Sequence, residues 1–332
     1  MTVQITIIGT GQIGASIGLA LGVQKDLFLR VGHDKDTRLA NRAKEMGALD
    51  RVDANLPHSV AQAEIVILAL PFEQILDTLK FIAQDLKEDA IIMDTTPVKG
   101  DVLAWAKELL PPNRYFIGLT PVLNPIYLEI PGSGVEAAHA DLFKNGLMAI
   151  ISPQGVPAEA IKLAIDFSHI LGAEHLFIDP VELDSMMAAT HIPPQLIAAA
   201  LLNTTVDQPG WYDARKLAGR PYAAATNSIA QFDDPNSLTS LSISTQTHLV
   251  RWIDALMDNF AVLRQQITSQ DPEKLQELLN RASLGRKKWL KEKNTLSWAS
   301  TEGAANVDIP TARQVFTRMF TFGGGRKPKQ PK

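Results

Sequence analysis

Between the chain's first apolar run, Ile5 to Ile8, and a helix-compatible run starting at Ala15 stands Gly9-Thr10-Gly11-Gln12-Ile13-Gly14. No other stretch restricts the fold as much. Glycines at this spacing suit a strand-to-helix turn that holds a dinucleotide. Gly9 permits the tight turn, Gly11 lets the backbone approach a pyrophosphate, and Gly14 lets the helix pack on the sheet. Gln12 and Ile13 open the helix, whose free N–H groups face the phosphates. A second apolar run, Leu27 to Val31, leads to Asp34, about twenty residues past the last glycine, where a carboxylate accepts hydrogen bonds from the adenine ribose. A bare GxGxxG means little. Here strand, glycines, helix, second strand and acid follow in order. Asp34 repels a 2′-phosphate and so favours NAD, while His33, Lys35 and Arg38 leave NADP open.

The rest of the first half repeats the same alternation. Thr37 to Met46 reads as a surface helix. Ala63 to Leu70 is a continuous apolar run closed by Pro71, the pattern of a parallel strand covered on both faces. Leu70 and Pro71 therefore stand at a strand's carboxyl end, where open α/β sheets bind ligands, and Thr95 stands after the next strand, Ala90 to Met93. Helices are expected over Glu73 to Leu86 and Asp101 to Leu110, and a strand over Tyr115 to Gly118. Leu119 to Pro131 reads as a proline-punctuated loop over the nicotinamide position. Leu147 to Ser152, Pro157 to Leu171 and His175 to Ile178 read as a closing strand–helix–strand. The fold class is α/β, a doubly wound Rossmann-type parallel sheet followed by an all-helical C-terminal domain.

Past Asp179-Pro180 the strand runs vanish. Thr247 to Ile267 and Pro272 to Trp289 show helical spacing, and helices this long with no sheet to cover pack on each other and on a second subunit. The expected division is a dinucleotide-binding domain over 1–179, a helical dimerisation and substrate domain over 180–320, and a disordered basic tail over 321–332. That tail, with Gly323-Gly324-Gly325 and RKPKQPK, is too polar to pack.

Composition excludes several classes. With 45% hydrophobic residues, 20% charged residues and a formal net charge of −4, the chain has no basic stripe for nucleic acid. No apolar run approaches the roughly twenty residues that span a bilayer, and the N-terminus leaves no room for a signal peptide. The absence of cysteine excludes disulfides and thiolate chemistry, and the seven histidines show no metal-type pairing. A cytoplasmic, metal-free homodimer is expected.

ITIIGTGQIGASIGLAL, the IVILALP strand, the turn carrying Asp94, Val98, Lys99 and Gly100, SGVEAAHADLF (Ser133 to Phe143) and ATHIPPQLIAAAL (Ala189 to Leu201) together resemble the prephenate/arogenate dehydrogenase family. The resemblance covers about residues 1 to 292. It implies hydride transfer from a ring carbinol to NAD(P)⁺ with loss of the ring carboxylate as CO₂. It also implies a key histidine in a GGHPxAG turn, a serine just before VKG, a second histidine at the SHLPH helix start and an arginine in a TRIA segment. This chain departs from the pattern at each of these. Thr120 stands where the histidine is expected, Pro97 where the serine is, and Pro194 where the second helix histidine is. Ala223 to Ile229 offers no arginine.

The departures gather at the substrate side. Threonine is no general base near neutral pH, although its hydroxyl can hydrogen-bond a substrate oxygen. His191, kept at its helix start, is a candidate proton acceptor, weighed against a plain capping or core histidine. Arg220 and Lys216, with Arg215 in the same loop, are candidates to grip carboxylates, against a solvated basic loop. Asn124, Tyr127 and Glu129 stand on the enlarged loop and are candidate specificity residues. Lys99 reads as a helix start rather than a Schiff-base lysine, and Trp211 and Tyr222 as aromatics that stack on a substrate ring or, more often in such positions, pack in the core. Met186 and Met187 read as helix packing. Two other readings stay open: a dinucleotide-binding sensor that has lost catalysis, and an imine or hydroxy-acid reductase of the same architecture.

Overall fold

The computed structural model of the protein describes residues 2–24, 26–130, 132–231 and 233–295. Its centre is β1 (Val3–Ile8), flanked in parallel by β2 (Phe28–His33) and β4 (Ile65–Leu68). With β3 (Arg51–Val52), β5 (Ile91–Asp94), β6 (Tyr115–Val122), β7 (Leu147–Ile151) and β8 (Glu174–Phe177), the order across one sheet is β3-β2-β1-β4-β5-β6-β7-β8. Every residue of β1, β4 and β5 is buried, which is why β4 reads as an unbroken apolar run, while the buried Gln4 and Thr6 of β1 both donate to the Ser59 carbonyl. The covering helices are α1 (Gln12–Leu21), α2 (Thr37–Glu45), α3 (Leu56–Val60), α4 (Phe72–Ile82), α5 (Gly100–Leu109) and α6 (Ala158–Ile170).

One pair breaks the parallel pattern. β6 and β7 are antiparallel, with Gly118 opposite Ile151 and Val122 opposite Leu147. Among the described residues between them lie two one-turn 3-10 helices, Pro125–Tyr127 and Val135–Ala137, and no α-helix that could carry the chain back across the sheet, so β7 returns the other way. The expectation of a loop from Leu119 is corrected by the same pairing, since β6 runs on to Val122. Its pairing with β5 ends at Asp94 opposite Gly118, so Leu119–Val122 is paired on the β7 side only, and Pro121 is tolerated there as on an edge.

The later helices are α7 (Pro180–Thr190), α8 (Ile192–Thr205), α9 (Trp211–Leu217), α10 (Arg220–Thr226), α11 (Ser228–Gln231), α12 (Pro235–Ser244), α13 (Gln246–Thr268) and α14 (Pro272–Thr295). Among the described residues the chain separates into two compact units, one of residues up to Asp184 with Ile229–Ser244, the other of Ser185–Ser228 with Thr245–Thr295. Within the first, α12 packs on α4. Arg215, Lys216 and Arg220 lie in short helices, α9 and α10, rather than in a loop. Pro180–Thr205 is long and apolar enough to cross a bilayer by length and composition, which corrects the expectation that no run approaches that length. Met186 is 46% exposed, not packed away. The basic tail from Thr321 lies outside the described residues.

Candidate functional site

The strand order reverses between β1 and β4, and this is where a doubly wound sheet opens a crevice at its carboxyl ends. The glycine turn fills that position. Gly9 takes φ +90°, and a Cβ there would meet the Ala69 carbonyl oxygen at 2.2 Å. A Cβ on Gly14 would lie 1.9 Å from the Gly9 oxygen, so helix and turn touch backbone to backbone. Around Gly11 the same test meets nothing within 4 Å, leaving open room beside the first turn of α1. No side chain caps α1 and no acid stands in its first turn. Its N–H groups and positive dipole end are thus uncompensated, as an incoming pyrophosphate requires.

Asp34 follows β2 directly. Its Oδ2 accepts from the Thr10 backbone N–H (2.8 Å) and hydroxyl (3.0 Å), and its Oδ1 accepts from the Asp36 N–H (2.9 Å). Thr10 thereby fixes the carboxylate against the glycine turn. Sequence reasoning passed over Thr10 because nothing local marks it. Ile13 packs partly buried against the core. Leu70, two residues past β4, lies beside Gly9, Pro71 precedes α4, and Thr95 donates its N–H to the Leu68 oxygen at 3.0 Å. The Gln12 amide reaches the Ala137 carbonyl (3.0 Å), and the His139 N–H donates to the Ser16 hydroxyl (3.0 Å). Arg42 grips Glu136 at 2.7 and 3.1 Å, holding that carboxyl below its usual range. The SGVEAAH segment is thus strapped onto α1. Beside it is a cavity of about 210 Å³ lined by Gln12, Tyr127, Ser133, Glu136 and His139 among others. The residues present fit a nicotinamide dinucleotide.

At the carboxyl end of β5 a second cluster forms. Lys99 and Asp94 are both fully buried and joined by an ion pair. The Lys99 ammonium also donates to the Thr96 carbonyl at 2.6 Å. Burial pushes this ammonium below its ordinary pKa, against the opposing pull of Asp94. The same Thr96 carbonyl accepts the Thr120 hydroxyl at 2.9 Å. Thr120 is buried, and its proton is committed to the β5 turn. The helix start read at Lys99 is present: Asp184 accepts the N–H groups of Lys99 (2.6 Å) and Gly100 (2.8 Å) at the N-terminus of α5. Burial nevertheless raises the Asp184 carboxyl.

The other candidates disperse. Asn124 is buried and satisfied within its own loop, its amide donating to the Asp141 carbonyl (3.1 Å) and its oxygen accepting from Ile126 N–H (3.2 Å). Both polar ends hold the 3-10 turn that Asn124 caps. Tyr127 stacks on His139 and donates to Asp141 at 2.6 Å. His191 stands at the N-cap of α8, but its side chain makes no capping bond there. Lys216 pairs with Asp213 at 2.7 Å and lies 4.4 Å from the Tyr212 ring centroid, so its charge is already compensated. Arg220 is exposed at the first position of α10. Trp211 and Tyr222, both half-buried, pack on each other, with the Tyr222 hydroxyl 2.7 Å from that of Thr205.

A doubly wound sheet with this glycine turn and strand-end acid defines a dinucleotide-binding oxidoreductase. Residues 19–176, from within α1 to β8, match the family model described as "Prephenate dehydrogenase, nucleotide-binding domain". A cyclohexadienyl dehydrogenase of Zymomonas mobilis is 25% identical over 276 residues, covering 82% of this chain and 91% of that protein. A prephenate dehydrogenase of Bacillus subtilis is 27% identical over 202 residues, 60% of this chain and 53% of that one. Among solved structures, prephenate dehydrogenase from A. aeolicus, in complex with hydroxyphenyl propionate and NAD+, shares the fold with a TM-score of 0.76 at 20% identity, covering 87% of this chain and 98% of that one. The chain is thus similar to prephenate, arogenate and cyclohexadienyl dehydrogenases, and its segment 19–176 matches their nucleotide-binding domain.

Proposed function

We propose that the chain is an NAD-dependent dehydrogenase acting on prephenate, arogenate or a related cyclic carboxylated alcohol. The family match carries this reading, and the crevice beside Gly11 supports it. Gly9, Gly11, Gln12, Ile13 and Gly14 hold the pyrophosphate, Asp34 holds the adenine ribose, and Leu70, Pro71 and Thr95 border the nicotinamide. When bound, the nicotinamide accepts the hydride of the ring carbinol carbon, while the ring carboxylate leaves as CO₂ and its bonding electrons complete the aromatic ring. His191 takes the hydroxyl proton, because it is the one candidate with a nitrogen lone pair to accept it and Thr120 is no base. Arg220, whose guanidinium makes two parallel bonds to a carboxylate, grips the substrate. The protein works as a soluble, cytoplasmic homodimer joined through its helical region.

Purified protein mixed with NAD⁺ or NADP⁺ and prephenate or arogenate tests the reading, following reduced-cofactor absorbance and CO₂ together. Turnover with CO₂ release supports it. Reduction without CO₂ points to oxidation of an alcohol or amine without decarboxylation. A second reading, a dinucleotide-binding sensor without turnover, is favoured by one observation: Thr120 stands in the histidine's place with its hydroxyl spent on Thr96. Calorimetric NAD binding with no turnover across a dehydrogenase substrate panel would select that reading.

A further inference from the structure

Outside the crevice the fold gathers a set of side chains that the dehydrogenase chemistry does not use. His169 stands in the last turn of α6 and His175 in β8, joined by a tight turn at Gly172, whose φ is +79°. Nε2 of His169 and Nδ1 of His175 are 3.2 Å apart. Glu174 brings a carboxylate to the same place, and one ligand atom from each of the three lies within 4.8 Å of the others. The inner nitrogen of His169, Nδ1, is buried with no hydrogen-bond partner, so the ring's polar commitment is all on the outer nitrogen facing His175. The His175 ring is steadied edge-on against Phe177, with centroids 5.7 Å apart.

We infer that His169, Glu174 and His175 form a binding site for a single zinc-class divalent ion, clipping the end of α6 to the sheet's edge strand. With metal–nitrogen bonds of about 2.05 Å, nitrogens at this separation subtend about 100° at the ion, near the tetrahedral angle. Two imidazoles and one carboxylate are a ligand set that suits zinc better than magnesium or calcium, which take oxygen. Glu174 is exposed, so water completes the fourth position. The seven histidines show no metal spacing in the sequence because the pair is brought together by the return of the chain from α6 to β8, not by a helix repeat.

Zinc titrated calorimetrically into the chelator-treated full chain tests this, with Co²⁺ absorption as a spectroscopic check. One ion per chain is expected, with His169→Ala and His175→Ala each weakening binding about tenfold or more, and Glu174→Gln weakening it less. His58→Ala, in a surface histidine paired with Asp53 elsewhere, should leave the isotherm unchanged. Saturating zinc should raise the Tm of the wild type and not that of the His169→Ala/His175→Ala double variant. Should His169→Ala fail to fold by circular dichroism, His175→Gln at the half-exposed partner reads the same question. An absent wild-type isotherm, or one retained in both His175 variants, overturns the inference.

Discussion

Thr120 and Lys99 meet at one atom, the Thr96 carbonyl oxygen, and each has a testable consequence. Thr120→His replaces a spent hydroxyl with a base. Turnover of prephenate or arogenate should rise if family-type chemistry survives, and an unchanged rate would count against that mechanism. Lys99→Met leaves Asp94 as an unpaired buried carboxylate. This should cost about 3–5 kcal/mol in denaturant unfolding, whereas Asp94→Leu/Lys99→Met together should cost much less, because the pair's desolvation is removed along with its attraction. Tyr127 supplies a pH signature. Its hydrogen bond to Asp141 pushes the phenol up to about 12, against an ordinary value of 10. A raised folded-state pKa means the contribution is whole below pH 10 and is lost as pH climbs from about 10 to about 12. Unfolding midpoints should therefore fall more steeply in that window for wild type than for Tyr127→Phe.

At the scale of elements, the strand–turn–helix of β1 and α1 was legible because all its parts are local. The spacing of Gly9, Gly11 and Gly14 is set by the turn itself, and β4 and β5 announced their double burial as unbroken apolar runs. What was not legible depends on partners far along the chain. Arg30 is buried and bonded to Asp50 at 2.6 Å, and also to the carbonyls of Gly18 and Gly47, which no local pattern of β2 foretells. Likewise Thr120 reads as loop in sequence and becomes strand only because β7 returns beside it. Thr10 carries the clearest functional consequence. It ties Asp34 to the glycine turn, so Asp34→Ala should remove a ribose acceptor and loosen the turn together. NAD affinity should fall about tenfold, roughly 1.4 kcal/mol, with NADP affected less, so that discrimination relaxes. Asp34→Asn, which keeps one acceptor oxygen for Thr10, should fall between. If calorimetry finds both affinities unchanged in Asp34→Ala, the assignment of the strand-end acid fails.

The whole molecule raises the matter of association. α13 and α14 are 23 and 24 residues long, and along them Trp252, Met257, Phe260, Ile267, Leu279 and Leu284 are each between 45% and 64% exposed. Scattered exposed apolar residues are ordinary on any surface. A series of this size on two paired long helices is not, because each large side chain left in water forgoes about 1.5–3 kcal/mol of burial. The helices pack on one another, yet neither buries a full apolar stripe: α13 has one buried residue, Leu249, and α14 has none. The dimer proposed above would supply the missing cover under a two-fold axis, the commonest symmetry for soluble oligomers. Sedimentation at micromolar concentration is expected to give the mass of a dimer. Phe260→Asp with Met257→Asp should shift it toward monomer by placing two carboxylates in a face that must dry on contact. NAD binding should persist in that monomer, because the glycine turn and Asp34 lie in the other compact unit. A wild-type chain that sediments as a monomer at all concentrations would remove the dimer and leave those helix faces to another partner.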